Sequence, residues 1–332
     1  MKRLAVILLA AGFFGASAYF LLSRRGPAPT PHAPLPELVA LAPADFAYLF
    51  FADLSALRNS PLFAAPLAQA PLSEQSRDYQ EFVRATGFDF SRDLDRALLW
   101  VQKFPSASRA TAIAEGRFER QRIARYALRV SRLERKGEAE IFVVRAQNPA
   151  REVSFSFLDE GRILLTDSPR LELPTKHNVP LSLDAVTQER LSRVSGSPIF
   201  VAGHLPDLPR DFALAGFRSE QLRRLLASLR WFSLAARPEQ ERLLVVAEGE
   251  CDSAMNARQI ALLLDGLRVV ARAGLADPAL RRRLDFSSLF VLEALVRAEE
   301  ISRDGPRLRL VLRLTPEMLA GASPPPATPP TK

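Results

Sequence analysis

The chain has 332 residues, a formal net charge of +8, 48% apolar residues and 25% charged residues, enough for one large domain or two ordinary ones with a real core. Arginine carries nearly all the positive charge, since Lys2, Lys103, Lys136, Lys176 and Lys332 are the only lysines; Ala and Pro are abundant too, so a compositional bias explains the basic balance and no nucleic-acid partner is implied. Cys251 is the single cysteine, which excludes an intrachain disulfide and, because no cysteine follows the N-terminal apolar run, lipid attachment there.

Met1-Lys2-Arg3 is a short positive start, and no residue from Leu4 to Leu22 is charged. As a helix that run would rise about 28 Å, close to the roughly 30 Å hydrocarbon layer of a bilayer. Ala16-Ser17-Ala18 has the form of a signal-peptidase site, but apolar sequence continues through Tyr19-Phe20-Leu21-Leu22 where polar sequence normally follows a cleaved signal. The expectation is an uncleaved signal anchor over residues 1–25, single-pass, with the soluble part on the periplasmic or extracytoplasmic side of a bacterial envelope. Cleavage after Ala18 and secretion is the alternative. Lys2 and Arg3 nearly balance Arg24 and Arg25, so the flanking charges alone do not fix orientation. Residues 26–42 read as a Pro-rich linker and residues 317–332 as a disordered Pro-rich tail.

Between them the apolar pattern predicts strands near 45–52, 97–103, 110–118, 130–136 and 138–146. A hairpin follows, Val153–Phe157 and Arg162–Thr166, turned by Asp159-Glu160-Gly161. Further strands are predicted near 197–204, 230–237, 242–250, 299–304 and 306–315. Ser219 heads a helix with Leu222, Leu225, Leu226 and Leu229 on one face, and Asn256–Leu275 places Ile260, Leu263, Leu264, Leu267 and Val270 on another. Asp277-Pro278 opens a further helix that continues with Leu289, Leu292, Leu295 and Val296.

Two stretches echo each other. Ala114-Glu115-Gly116 is followed by Arg120-Gln121-Arg122-Ile123-Ala124, and Ala247-Glu248-Gly249 by Arg258-Gln259-Ile260-Ala261. Arg135-Lys136-Gly137 and Arg303-Asp304-Gly305 each precede an apolar strand. Matches in the same order point to tandem duplication, with a first unit over 43–180 and a second over 181–316. Strands joined by short turns pair antiparallel, so the expected fold class is α+β: duplicated, mainly antiparallel sheet with helices packed on one face and the other solvated.

Pro43-Ala44-Asp45, Ala52-Asp53-Leu54, Leu57-Arg58 and Ser60-Pro61, then Thr86-Gly87-Phe88-Asp89, resemble the opening of uncharacterised bacterial membrane-anchored or exported proteins. The resemblance covers about residues 1–100 and the closing hairpin. It implies location and fold and carries over no catalytic residue.

Chemistry-bearing motifs are sparse. His32, His177 and His204 are the only histidines, and none has metal-site spacing. Asp89, Asp93 and Asp95 cluster beside Arg92 and Arg96; paired carboxylates suit acid–base work or calcium, yet the spacing fits a turn better. No catalytic residue, metal or cofactor is implied. Trp100, Trp231 and Phe232 read as packing residues. The strongest polar feature is Arg122, Arg125, Arg129 and Arg132 at helical spacing, a candidate contact for an anionic surface. The function this supports is a non-enzymatic, membrane-anchored envelope protein that binds a ligand or partner: an envelope protein, a lipid headgroup or a polymer. An envelope hydrolase or transferase with a dispersed site, or an anionic membrane-surface module, are the alternatives.

Overall fold

The computed structural model of the chain describes residues 34–60, 62–63, 77–104, 108–145, 152–172, 183–204, 220–283 and 286–315. The Leu4–Leu22 run, the first part of the Pro-rich linker and the C-terminal tail lie outside these residues. Among the described residues no helix is long and apolar enough to cross a membrane. They form two compact units that divide between Gly203 and His204. Residues 183–203, which the sequence pattern assigns to a second unit, belong to the first.

The first unit holds β1 (Tyr48–Asp53), β2 (Leu94–Lys103), β3 (Ser108–Gly116), β4 (Arg132–Lys136), β5 (Ala139–Arg145), β6 (Glu152–Phe157), β7 (Arg162–Thr166) and β8 (Ile199–Gly203). They lie side by side in the order β8-β1-β2-β3-β7-β6-β5-β4, antiparallel at each pairing. The hairpin β6–β7 is thus inserted between β3 and the hairpin β4–β5. Helices Arg77–Thr86 and Arg120–Val130 share one apolar cluster with β5, β6 and β7. The fold is α+β with a mostly antiparallel sheet.

Burial does not alternate as a half-solvated sheet requires. Phe50, Phe51 and Ala52 of β1, Ile141 to Val144 of β5 and Val153 to Phe157 of β6 are buried at successive positions, so both faces of these strands are covered. The end of the predicted linker joins the core as well. Glu37–Leu41 is a 3-10 turn whose Leu38 and Val39 are buried, because two adjacent apolar residues gain more by packing than by remaining in a spacer.

The second unit holds β9 (Leu229–Glu239), β10 (Arg242–Cys251), β11 (Ala298–Asp304) and β12 (Arg307–Leu314), in the order β9-β10-β12-β11. Helix Ala254–Leu275 starts at Ser253, whose hydroxyl accepts from the Asn256 N–H. Its Ala257 and Ile260 pack on Cys251 and Leu308. Leu229, expected on the preceding helix, begins β9 instead, since that helix ends at Ala227.

The chain passes through the same order of elements twice: strand, helix, two strands, helix, hairpin. Local irregularities repeat as well. β2 slips register between Leu94 and Arg96 opposite the end of β3, and the pairing of β9 with β10 slips between Glu250 and Cys251 at the start of β9. Both closing hairpins turn on a glycine with positive φ, Gly137 and Gly305.

Candidate functional site

The first unit has a partly open apolar cavity of about 120 Å³ between its sheet and helix Arg120–Val130. Its origin is a set of small side chains. Ala97 of β2 lies opposite Ala114 of β3, and Ala112 and Ala114 lie opposite Leu165 and Ile163 of β7. Above this patch the helix presents Ile123, Tyr126, Ala127 and Val130. Phe82, Phe88, Phe118 and Phe155 complete the lining. Phe82 meets the edges of Phe88 and Tyr126 at ring separations of 6.3 and 5.5 Å, while Phe142 stacks on Phe155 at 4.9 Å. These ring contacts hold the walls rigid around the alanines.

A second, polar pocket of about 360 Å³ adjoins it, lined by Thr86, Gly87, Arg92, Asp93, Gly116, Arg117, Glu119 and Glu160. The two share Phe88 and Phe118 as lining residues, whose rings stack at 4.9 Å. Gly116 makes this corner possible. A Cβ there would run into the Asp93 carbonyl oxygen, so only glycine lets the end of β3 lie against the turn before β2.

The Asp89–Asp95 cluster is the scaffold of this corner. Helix Arg77–Thr86 ends at Gly87, φ 76°, with the Thr86 hydroxyl donating to the Phe82 carbonyl at 2.7 Å and accepting from the Phe88 N–H. Asp89 then caps the short helix Phe90–Asp93, accepting from the Ser91 N–H at 2.9 Å. Asp93 accepts from the Asp89 N–H at 2.9 Å and from Arg92 Nε and Nη2 at 3.0 and 2.8 Å. Burial would raise the Asp93 carboxyl, but these hydrogen bonds and the charges of Arg92 and Arg117 outweigh it and hold the group below the usual carboxylate range. Asp95 pairs with Arg58 at 2.5 Å, and Arg58 also donates to the Leu94 carbonyl at 2.6 Å. Burial pushes the Tyr79 phenol upward; it stays protonated and donates to Asp89 at 3.2 Å.

The sequence stretches that carry the family-like opening are therefore caps and ties. Asp53 caps helix Leu54–Arg58 through the Ala56 N–H at 2.8 Å, Arg58 ties that helix to β2, and Thr86 to Asp89 makes the corner. Among the described residues no group of three His, Cys, Asp or Glu side chains could hold a metal ion.

The arginine stripe is only partly on one element. Arg122, Arg125 and Arg129 lie on helix Arg120–Val130, but Arg132 is past the cap at Ser131 and belongs to β4. Arg122 pairs with Glu119 at 3.0 Å and Arg132 with Glu134 at 2.6 Å. Arg129 lies over the Tyr126 ring, and the Arg125 Nε donates back to the Gln121 carbonyl. Trp100, in the middle of β2, is buried like Trp231, as packing residues are. His204 makes an edge contact with Trp231 at 5.2 Å and lies 3.0 Å from the Arg230 carbonyl. His32 and His177 lie outside the described residues. Cys251 is buried, and burial raises its thiol, as for a small core residue. The sequence reading missed the cavity; its one signal was alanine at alternating inward positions of β3, Ala112 and Ala114, where a large apolar residue is usual.

No family model matches the chain, and no curated protein matches it. Among solved structures, the chain is similar to crystal forms I and III of TP0453, with 9% identity in each case. The first match covers 87% of this chain and 97% of that one with a TM-score of 0.44. The second covers 85% and 96% with a TM-score of 0.47. Likeness at this level adds nothing to the fold described above.

Proposed function

We propose that the protein is a non-enzymatic, membrane-anchored envelope protein whose first unit binds an apolar ligand. The observation that carries this reading is the cavity beneath helix Arg120–Val130, which has an almost wholly apolar lining. Apolar cavities of this order stay dry and take up hydrocarbon, as a roughly 150 Å³ engineered cavity takes up benzene. A close-packed interior loses dispersion contacts around such a void, so a ligand that fills it regains them. The Leu4–Leu22 run supports an anchor that holds the unit near a source of such ligands. The repeated order of elements supports descent of the two parts from one duplicated unit.

Photolabelling tests the binding. The full-length protein in envelope vesicles is exposed to an alkyl probe carrying a diazirine, and the labelled peptides are mapped. Label is expected on the walls at Ala112–Ala114 and Ile123–Val130, and Ala112→Leu is expected to remove it. Label confined to Leu4–Leu22 would count against the cavity. A reporter joined after Pro36 and active only outside the cytoplasm tests the orientation.

A further inference from the structure

We infer that the ligand is a single-chain amphiphile with an oxyanion head group, its chain in the apolar cavity and its head against Arg92 and Arg117. This rests on the apolar-ligand reading above and adds the class of ligand.

Volume sets the first constraint. At about 120 Å³ the cavity is smaller than the roughly 150 Å³ that accepts benzene. It holds a short length of alkyl chain and nothing bulkier, so the rest of any longer ligand has to leave it. Phe88 and Phe118 line both this cavity and the polar pocket. A chain that passes their stacked rings emerges among Thr86, Arg92, Asp93 and Arg117.

The hydrogen-bonding state of that pocket sets the second. Its buried carboxylate is already taken: Asp93 accepts from the Asp89 N–H and from two nitrogens of Arg92. The Thr86 hydroxyl is likewise engaged, donating to Phe82 and accepting from Phe88. The Glu119 and Glu160 carboxylates also line the pocket and pair with Arg122 and Arg120. The buried acceptors, on Asp93 and Thr86, are thus committed. Donors remain on Arg117, which reaches the Arg92 carbonyl through Nη2 and stands 3.7 Å from Asp93, with 63% of its side-chain surface exposed. A head group that completes this site has to bring acceptors. A planar guanidinium matches a phosphate or carboxylate by paired hydrogen bonds, which a hydroxyl cannot reproduce.

Two photolabelling probes with the same alkyl chain, one ending in phosphate and one in a hydroxyl, separate the claims in the full-length protein. The phosphate probe is expected to label the cavity walls at several-fold lower concentration. Arg117→Gln is expected to erase that difference, and Arg117→Lys to restore part of it. Equal labelling by both probes would overturn the head-group assignment and leave the apolar cavity standing. Absence of label from the walls with either probe would overturn the cavity reading, and this inference with it.

Discussion

Each unit packs helices on an antiparallel sheet, yet the space between sheet and helix is resolved differently in the two. In the second unit the small residue is on the helix: Ala257 is fully buried and lets helix Ala254–Leu275 settle onto Cys251 and Leu308. In the first unit Ala97, Ala112 and Ala114 of the sheet and Ala127 of the helix all line an apolar cavity. Similar layering thus gives a close-packed contact in one unit and unfilled apolar space in the other.

Each unit contains one tryptophan, Trp100 in the first and Trp231 in the second. Trp231→Phe and Trp100→Phe backgrounds thus report the unfolding of each unit separately in the full chain. The largest contrast is expected at the paired glycines. A Cβ at Gly116 meets the Asp93 backbone, which cannot give way, whereas at Gly249 it meets the end of the Leu229 side chain at 2.7 Å. Gly116→Ala should destabilise the first unit by about 3 kcal/mol and Gly249→Ala the second by about 1 kcal/mol or less, read by denaturant unfolding. Equal costs would remove the contrast.

Packing gives the next largest effect. Ala257→Leu should cost the second unit about 1–3 kcal/mol. Ala112→Leu, which fills the cavity, should leave the first unit as stable or up to about 1 kcal/mol more stable. A comparable loss at both positions would mean that no usable space lies under helix Arg120–Val130. Asp89→Ala removes a cap and the acceptor of the Tyr79 hydroxyl, and should cost about 1–2 kcal/mol in the Trp100 signal alone.

Acid should also separate the units. The folded-state value of Asp93 is depressed, so its contribution is present above the ordinary carboxylate value near 4 and is lost as pH falls through the folded value. Midpoints measured downward from pH 5 should show that loss in the first unit and its reduction in Asp93→Asn. The smallest effect is expected at Arg125, an exposed residue that donates only to the carbonyl one turn back. Arg125→Gln should move stability by less than about 0.5 kcal/mol, and a larger shift would give that arginine a structural role.

Much of the fold was legible before the structure. Short apolar runs bounded by turns marked β5 and β10, because four or more consecutive apolar residues between turn signals suit a buried strand. Ala114-Glu115-Gly116 and Ala247-Glu248-Gly249, which echo each other in sequence, lie on β3 and β10. Local chemistry misled where a neighbour in space decided the matter. Leu38 and Val39 read as linker and are buried. Arg132 continued a helical spacing, but helix Arg120–Val130 ended at Ser131 and the chain turned into a strand.

The candidate site shows the division most plainly. By itself the sequence determined the α+β class, the antiparallel hairpins and the residue types of the Thr86–Asp95 corner, since caps, turns and periodicity act over a few residues. It could not say that Asp89, Asp93 and Asp95 hold a corner together, because their partners include Arg58 and Arg117, distant along the chain. Nor could it give the cavity. That space forms where β2, β3 and β7 bring Ala97, Ala112 and Ala114 together beneath helix Arg120–Val130, and a void is a property of where side chains from separate segments fail to meet.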